Sequence, residues 1–577
     1  MRIIPVTSLL ALSLSLPAHA ALPNGVAAGD VSQSSAWLWA RSDTLGLVKF
    51  EVASDTAFNS IVGSFNAAVI DAMQPVKGVV TGLAPGQQYY YRATDATLTT
   101  ATGSFRTAAA PGTHAGLRFG VTGDWRGELA PYPAIANVAA RNLDFLVKHG
   151  DTIYAERYSG PAQPTASTLA EYRARHDEVL SSRYGVNSWA TARASTPIFA
   201  SIDDHEVVND FAGGVPQVGG GFYNDTARYR DGLQAFREYM PIADRVYSGT
   251  GEARFDGKPD LYRAQLFGSD ALMILTDARS FRDAGLAPWN GTPGDAARFL
   301  GESATLDRTL LGRPQLDRVK TDLKQAQQDG VTWKFLHIAE PSMNLGLAAA
   351  SDRYEGYARE RTELLSFIKN EGIENVVFVT ADIHGTLVNN LTYSPDGVNQ
   401  IESGAWEIST GPVAFEQPFG PTVAQLAAGL GLLTPAQLAF YNGLPNDIAR
   451  DQFIKQLVDA QLLPLGYSAL GLEGSGIPFE NLMPVVPGIG QLDYSLVTHS
   501  FGWTEFEIDP VTGKLTVTTW GIPHYSYADM TNDPASVLAR SPQIVSRFAV
   551  AAVPEADTWA MLAAGLGLVG FAARRRC

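Results

Sequence analysis

Four times along this chain a short apolar run stops at an acidic residue, and no other feature limits the fold as much. Leu117 to Val121 leads to Gly123-Asp124, Leu143 to Val147 to Gly150-Asp151, Pro197 to Ile202 to Asp203-Asp204, and Val376 to Thr380 to Asp382. Short apolar runs closed by turn residues read as buried strands. Ala271 to Leu275 and Trp333 to Ile338 are two more. Helical spacing predicts helices over Pro133 to Arg141, Asp225 to Tyr239, Arg313 to Gln328 and Gly356 to Asn370. The alternation predicts an α/β domain whose helices cover a largely buried sheet. In such sheets the ligand crevice lies beyond the carboxyl ends of the strands, so the acids should converge there.

Residues 21–107 have a different texture. Trp37 to Arg41, Val48 to Val52 and Tyr89 to Arg92 are β-rich, with Ser, Asp and Gly between them and a turn at Leu83-Ala84-Pro85-Gly86. This predicts a small all-β sandwich that resembles a fibronectin type III module. Thr107 to Gly116 reads as a linker, and residues 117–548 as the larger domain. Within it, residues 411–493 break the strand–helix rhythm, with helix-like runs at Thr422 to Leu433 and Pro435 to Tyr441. That stretch is either a packing insertion or a lid. Phe501 to Ile508 and Leu515 to Ile522 form a hairpin that closes the sheet.

The two ends read as processing signals. Met1 and Arg2 precede an apolar run to Leu16 and a small-residue site, Ala18-His19-Ala20, so residues 1–20 are expected to be a Sec-type signal peptide. At the other end, Val553-Pro554-Glu555 is followed by an apolar stretch from Trp559 to Ala573 and by Arg574-Arg575-Arg576. The stretch is shorter than the ~20 residues of a spanning helix. Residues 553–577 resemble a PEP-CTERM sorting signal, although Ala556 replaces its usual second proline. That implies transient membrane anchoring, sorting machinery as a partner, and a final location in the periplasm, at the cell surface or outside. The only cysteine, Cys577, lies beyond that arginine cluster, so the mature chain has neither a disulfide nor a cysteine nucleophile.

A chain of 577 residues with 45% hydrophobic and 18% charged side chains is globular and has more than one core. The net charge of −16 argues against a nucleic-acid-binding surface. It leaves room for a phosphorylated substrate, because cations held in one cleft reverse the local field. Asp124, Asp151, Asp204, Asp382 and His384 form a set of hard oxygen and imidazole donors suited to divalent or trivalent metals. Singly, each is an ordinary turn or cap residue, as His149 and His337 are ordinary structural histidines. Asp203-Asp204-His205-Glu206 is an expensive loop to leave without a function, and the four segments together point to a metal site. No G-x-S-x-G pattern is present, which argues against a serine esterase.

These segments, in this order, resemble the alkaline phosphatase D (PhoD-like) metallophosphatases over nearly the whole mature chain. The resemblance runs through Gly25 to Asp30, Gly150-Asp151-Thr152-Ile153-Tyr154, Asp203 to Val207, Thr276 to Arg282 and Asp382-Ile383-His384. It implies a calcineurin-like α/β sandwich and hydrolysis of phosphate monoesters or diesters by metal-activated water. It also implies ferric iron held partly by tyrosine, beside calcium. Carried over, Asp124, Asp151, Tyr154, Asp204, Asp382 and His384 become metal ligands. His205 contacts the phosphoryl oxygen or protonates the leaving group, Arg279 pairs with phosphate, and Asn209 is a weaker candidate. Two departures stand out: Thr122 stands nearest to the family's iron-binding cysteine, and the leader lacks twin arginines. The alternatives are a phosphodiesterase or phospholipase of the same fold, or an inactive surface or matrix-associated binding protein.

Overall fold

A computed structural model of the chain describes residues 22–159, 164–396, 399–488 and 490–553. The expected signal peptide and nearly all of the sorting tail lie outside them. The described part opens with seven strands: β1 (Val26–Gly29), β2 (Ser35–Ala40), β3 (Gly46–Ala53), β4 (Ile61–Val69), β5 (Val76–Thr81), β6 (Gln88–Thr94) and β7 (Thr100–Arg106). One layer is β1-β2-β5 and the other β4-β3-β6-β7. Along β6 every second side chain is buried, which places Tyr89, Tyr91 and Ala93 against Leu38, Phe50 and Phe105.

This small β-domain is joined to the larger domain through a shared sheet. β1 pairs in parallel with β10 (Ile198–Ser201), through Gly29 and Ile198, so one sheet runs through both parts. Asp30 fastens the joint, accepting from Ala243 N and Arg263 Nε at 2.8 Å each. A Cβ on Gly29 would lie 2.4 Å from the carbonyl oxygens of Ile198 and Pro241, so only glycine permits this approach.

Strands β8 (Leu117–Trp125), β9 (Phe145–His149) and β10 are parallel neighbours. Antiparallel strands Ser500–Ile508, Leu515–Pro523 and Gln543–Val550 extend this sheet beyond β8. The second sheet contains β11 (Arg263–Phe267), β12 (Ala271–Leu275), β13 (Trp333–His337), β14 (Val376–Thr380), β15 (Thr386–Tyr393) and β16 (Ile401–Ser409). Of these, β12, β13, β14 and β16 are parallel.

The sheets pack face to face around aromatic rings. Phe119 stacks on Phe145 at 4.8 Å and on Phe506 at 4.7 Å, and meets Phe335 of the other sheet edge-on at 4.9 Å. The opposite faces are equally apolar. In β14, Val377 and Val379 enter this central layer while Val376 and Phe378 face helices α5 (Arg313–Gln328) and α6 (Ala358–Asn370). In β9, Leu146 faces α1 (Leu169–Leu180), α2 (Ser188–Ser195) and α3 (Ala227–Tyr239). Burial on both faces is why these strands read as unbroken apolar runs.

Two stretches differ from their sequence pattern. The helix expected over Pro133 to Arg141 is only two short 3-10 turns, Pro133–Ile135 and Val138–Arg141. Pro131 and Pro133 remove amide donors there, and Tyr132 and Asn142 take left-handed φ values of 63° and 53°. Residues 411–493 are several pieces. Pro412–Ala414 is a strand paired with the end of β8, and the helices α7 (Phe419–Gly429), α8 (Pro435–Asn442) and α9 (Asp447–Leu462) come after it. Short strands complete the stretch, one of which (Phe479–Asn481) pairs with Gln543–Val550. Among the described residues no helix is long and apolar enough to cross a membrane.

Phe119 is fully buried between the sheets, so Phe119→Ala should lower unfolding free energy by about 3–5 kcal/mol. Denaturant titration checks this, with the exposed Val511→Ala as a control expected to shift little.

Candidate active site

The carboxyl ends of β8, β9, β10 and β14 meet at one rim, and each delivers the acid seen after its apolar run. Close approach makes this possible. A Cβ on Gly123 would lie 2.9 Å from the Ala381 Cβ, and one on Gly150 would lie 2.9 Å from the Asp203 Cβ. The glycines of the two Gly-Asp pairs thus let the loop of one strand rest on the loop of another. Asp124 (φ 60°), Asp151 (44°), Asp382 (67°) and His384 (57°) all occupy the left-handed region, which non-glycine residues enter at a cost. Trp125 N donates to Asp151 O at 2.8 Å and His205 N to Asp151 Oδ1 at 3.3 Å, holding three strand ends together.

Donor atoms of Asp124, Asp151 and His384 lie within 4.8 Å of one another, as do those of Asp151, Asp204 and His205. Asp151 belongs to both groups. Tyr154 adds a phenol, its hydroxyl 3.3 Å from His384 Nε2, and its ring lies 4.3 Å from that of His205. Both oxygens of Asp124 are buried with no well-formed hydrogen bond. One oxygen of Asp204 likewise accepts no hydrogen bond, with His205 Nε2 3.8 Å away. Such carboxylates are costly in a protein interior unless a cation faces them.

Burial raises the Asp124 pKa well above the usual carboxylate range, Asp203 and Asp204 raise it further, and His205 and the Asp382 amide offset this only in part. Asp151 is raised in the same way, by burial and then by Asp204 and Asp203. Asp204 itself is lowered: burial opposes ionisation there, but His205 and Arg279 outweigh it. His384 is held down to about 3 by burial and then by His205, so its imidazole stays neutral with a lone pair to offer. His205 goes the other way. Burial favours its neutral form, yet Asp204 and the 2.7 Å contact of Nδ1 with Glu156 Oε2 raise it to about 9.

Asp382 lies with Glu340 and Asp352, a third group of close acids. Glu340 and Asp352 are already offset by cations, whereas burial and then Glu340 and Asp203 raise Asp382 well above the usual carboxylate range. Arg279 directs its guanidinium fork onto Asp352 at 3.0 and 2.8 Å, holds Asp203 Oδ1 at 2.5 Å and also contacts Glu340. Arg282 contacts Glu340 at 2.7 Å. The fork of Arg279, expected to be open for phosphate, is therefore occupied by protein carboxylates, and the residue is fully buried. Thr122 is buried too, donating its hydroxyl to Val147 O at 3.1 Å. Asn209 touches the site through its backbone, whose N–H donates to Glu156 Oε1 at 2.9 Å.

Glu206, part of the acidic loop singled out in the sequence, braces two loops, accepting from Thr152 N and Oγ1 and from Asp203 N at 2.5, 2.6 and 2.8 Å. Other contributors were not singled out in the sequence. Glu156 lies two residues past Tyr154, and only its contact with His205 marks it. Asp352 follows no acid-terminated run, whereas Glu340 stands two residues past the Trp333 to Ile338 run, a strand end whose acid was passed over in the sequence. Phe415 arrives just after the Pro412–Ala414 strand and stacks on His384 at 3.5 Å.

The profile of the family described as "PhoD-like phosphatase" matches residues 122–432, more than half of the chain. The chain belongs to that family. The profile of the PhoD-like phosphatase N-terminal domain matches residues 11–109. Alkaline phosphatase D of Bacillus subtilis (strain 168) is 29% identical over 399 residues, 64% of this chain and 65% of that protein, so just under two thirds of the relative is spanned. A solved structure titled "Structure of PhoD" superposes with a TM-score of 0.64 at 20% identity, covering 92% of this chain and 90% of that one, which shows a shared fold. The PEP-CTERM protein-sorting motif matches residues 552–576, so this PhoD-like chain is an exported protein with a C-terminal sorting motif.

Without cations, the folded protein keeps protons on Asp124 and Asp151 that the unfolded chain releases, so stability should fall as pH rises above ~4. Asp124→Asn should therefore raise the Tm of the metal-stripped protein at pH 8, by roughly 2–4 °C. The gain should shrink toward pH 5. Calorimetry at the two pH values measures it, and a lowered Tm at pH 8 would contradict the account of the cluster.

Proposed function

We propose that this chain is a metal-dependent phosphoesterase of the alkaline phosphatase D type, hydrolysing phosphate monoesters or diesters with metal-activated water. One observation carries the reading: buried carboxylates, an imidazole and a phenol converge, and both oxygens of Asp124 lack a well-formed hydrogen bond. The donors fit hard divalent or trivalent cations. Asp124, Asp151, Tyr154 and His384 would hold one, taken as iron from the family resemblance and from the phenol. Asp151 and Asp204 would reach a second, taken as calcium, with Asp382 behind them. When bound, these cations supply Lewis acidity, lowering the pKa of water and drawing charge from phosphoryl oxygens.

The chain's own residues do the rest. His205, which Asp204 and Glu156 raise to about 9 in the metal-free protein, is partly exposed at the rim and would donate to a phosphoryl oxygen or to the departing alcohol. Glu156 fixes the ring by holding Nδ1, which leaves Nε2, 3.8 Å from Asp204 Oδ1, on the side of the acid cluster. Arg279 serves by offsetting the charge of Asp203, Asp204 and Asp352 rather than by gripping phosphate, because its fork is already taken. Phe415 and Tyr154 flank the histidines and keep that side of the site dry.

The same reading divides the chain into a signal peptide (1–20), a β-domain (21–107), a catalytic domain (117–548) and a sorting tail (553–577) recognised by processing machinery. Three strands against four support a fibronectin type III-like identity for the β-domain. Helices α7–α9 form the substrate-facing part of the 411–493 insertion.

Asp151→Asn and His384→Ala should each cut hydrolysis roughly a hundredfold or more while the circular dichroism spectrum stays unchanged. Metal analysis of the purified variants should show a matching loss of bound metal. Wild-type turnover by either variant would overturn the assignment.

A further inference from the structure

Beside the cluster lies a cavity of about 310 Å³ that the metal-centred chemistry does not use. It has two unlike ends. Asp382, His384, Asp352 and Asp210 line one, so it opens directly onto the acid-rich rim. Ile383, Phe419, Val423, Leu426, Leu430 and Leu457 line the other. Ile383 stands between two site residues, and its side chain packs with the apolar layer that includes Phe419 and Leu457. The volume is at the small end of ordinary ligand pockets, ~300–1,000 Å³, and the pattern of apolar walls with convergent polar groups at one end is theirs.

The wall is fixed. α7 starts on the site itself, with Phe419 N donating to His384 O at 2.7 Å. Ala424 and Ala427 of α7 and Ile454 and Val458 of α9 are buried against the second sheet. The buried His499 ties α8 and α9 to the strand region behind them: Nδ1 lies 2.7 Å from Asp451 Oδ1, and Nε2 lies 2.7 Å from the Tyr441 hydroxyl. The pocket thus stands open before any substrate arrives, and Leu426 (42% exposed) remains available at its mouth.

We propose that this pocket receives the apolar organic group of the phosphate ester, so that alkyl and aryl phosphates are selected over polar ones. The proposal rests on the phosphoesterase reading for the position of the phosphate, which would sit at the Asp382–His384 end. An ester with a short hydrocarbon body then buries that body against α7 and α9, whereas a glycerol phosphate would bring hydroxyls to a mostly apolar wall that offers them only Thr422, Gln461 and Arg353.

The test uses the full-length, metal-loaded protein with hexyl phosphate and glycerol phosphate as substrates, and hexylphosphonate and methylphosphonate as non-hydrolysable probes. Hexyl phosphate should have a kcat/KM roughly tenfold or more above glycerol phosphate, with the difference in KM, and hexylphosphonate should bind more tightly than methylphosphonate by a similar factor. Leu426→Asp at the exposed mouth and Val423→Trp, which fills the pocket, should each remove the preference and leave glycerol phosphate turnover within about twofold. Equal binding of the two phosphonates by the wild type, or equal losses on both substrates in the variants, would overturn the proposal. A wild type that turns over neither ester would reject the phosphoesterase reading instead, and calorimetry with the two phosphonates would still decide the pocket.

Discussion

Four strand ends push carboxylates into a volume from which water is excluded, and the rest of the architecture answers that constraint. An ionised carboxylate away from water costs several kcal/mol unless a positive charge faces it. The protein answers in two ways. Around Asp203, Glu340 and Asp352 it supplies its own cations, Arg279 and Arg282. Around Asp124 and Asp151 it supplies no arginine, only the imidazolium of His205, and both oxygens of Asp124 lack a well-formed hydrogen bond, against one each on Asp203 and Glu340. That contrast sets the arginine-paired acids apart from those proposed to hold metal.

Holding such a cluster requires rigidity elsewhere. Two sheets locked by stacked phenylalanines fix the strand ends, and glycines 123 and 150 let the loops touch. Glu206 then spans two of those loops with three hydrogen bonds. The left-handed backbone at Asp124, Asp151, Asp382 and His384 is the residual strain of aiming these side chains inward. The small β-domain takes part as well, because β1 continues the sheet beside β10, the strand that carries Asp204 and His205.

Much of this was legible in the chain. The strands were visible because both faces of each are buried, which leaves no polar alternation. The donors were visible because sheet topology gathers the residues just past such strands at one edge. Arg279 was found by resemblance, but its pairing with Asp352 was not, since that residue lies 73 residues away on a loop without periodic signal. Glu156 and Phe415 were missed for the same reason, whereas Glu340, just past β13, followed the strand-end pattern and was passed over. The helix expected at Pro133 to Arg141 failed because prolines and left-handed residues outweighed its apolar spacing.

What the sequence alone determined is therefore the class of fold, the donor types and the exported character of the ends, all of which come from local pattern. Tertiary structure decided which acids stay paired with arginine and which are left bare, and that an apolar pocket adjoins the bare ones. These depend on distances of a few ångströms between segments far apart in the chain. Electrostatic and packing energies change steeply over such distances, and no pattern of neighbouring residues records them.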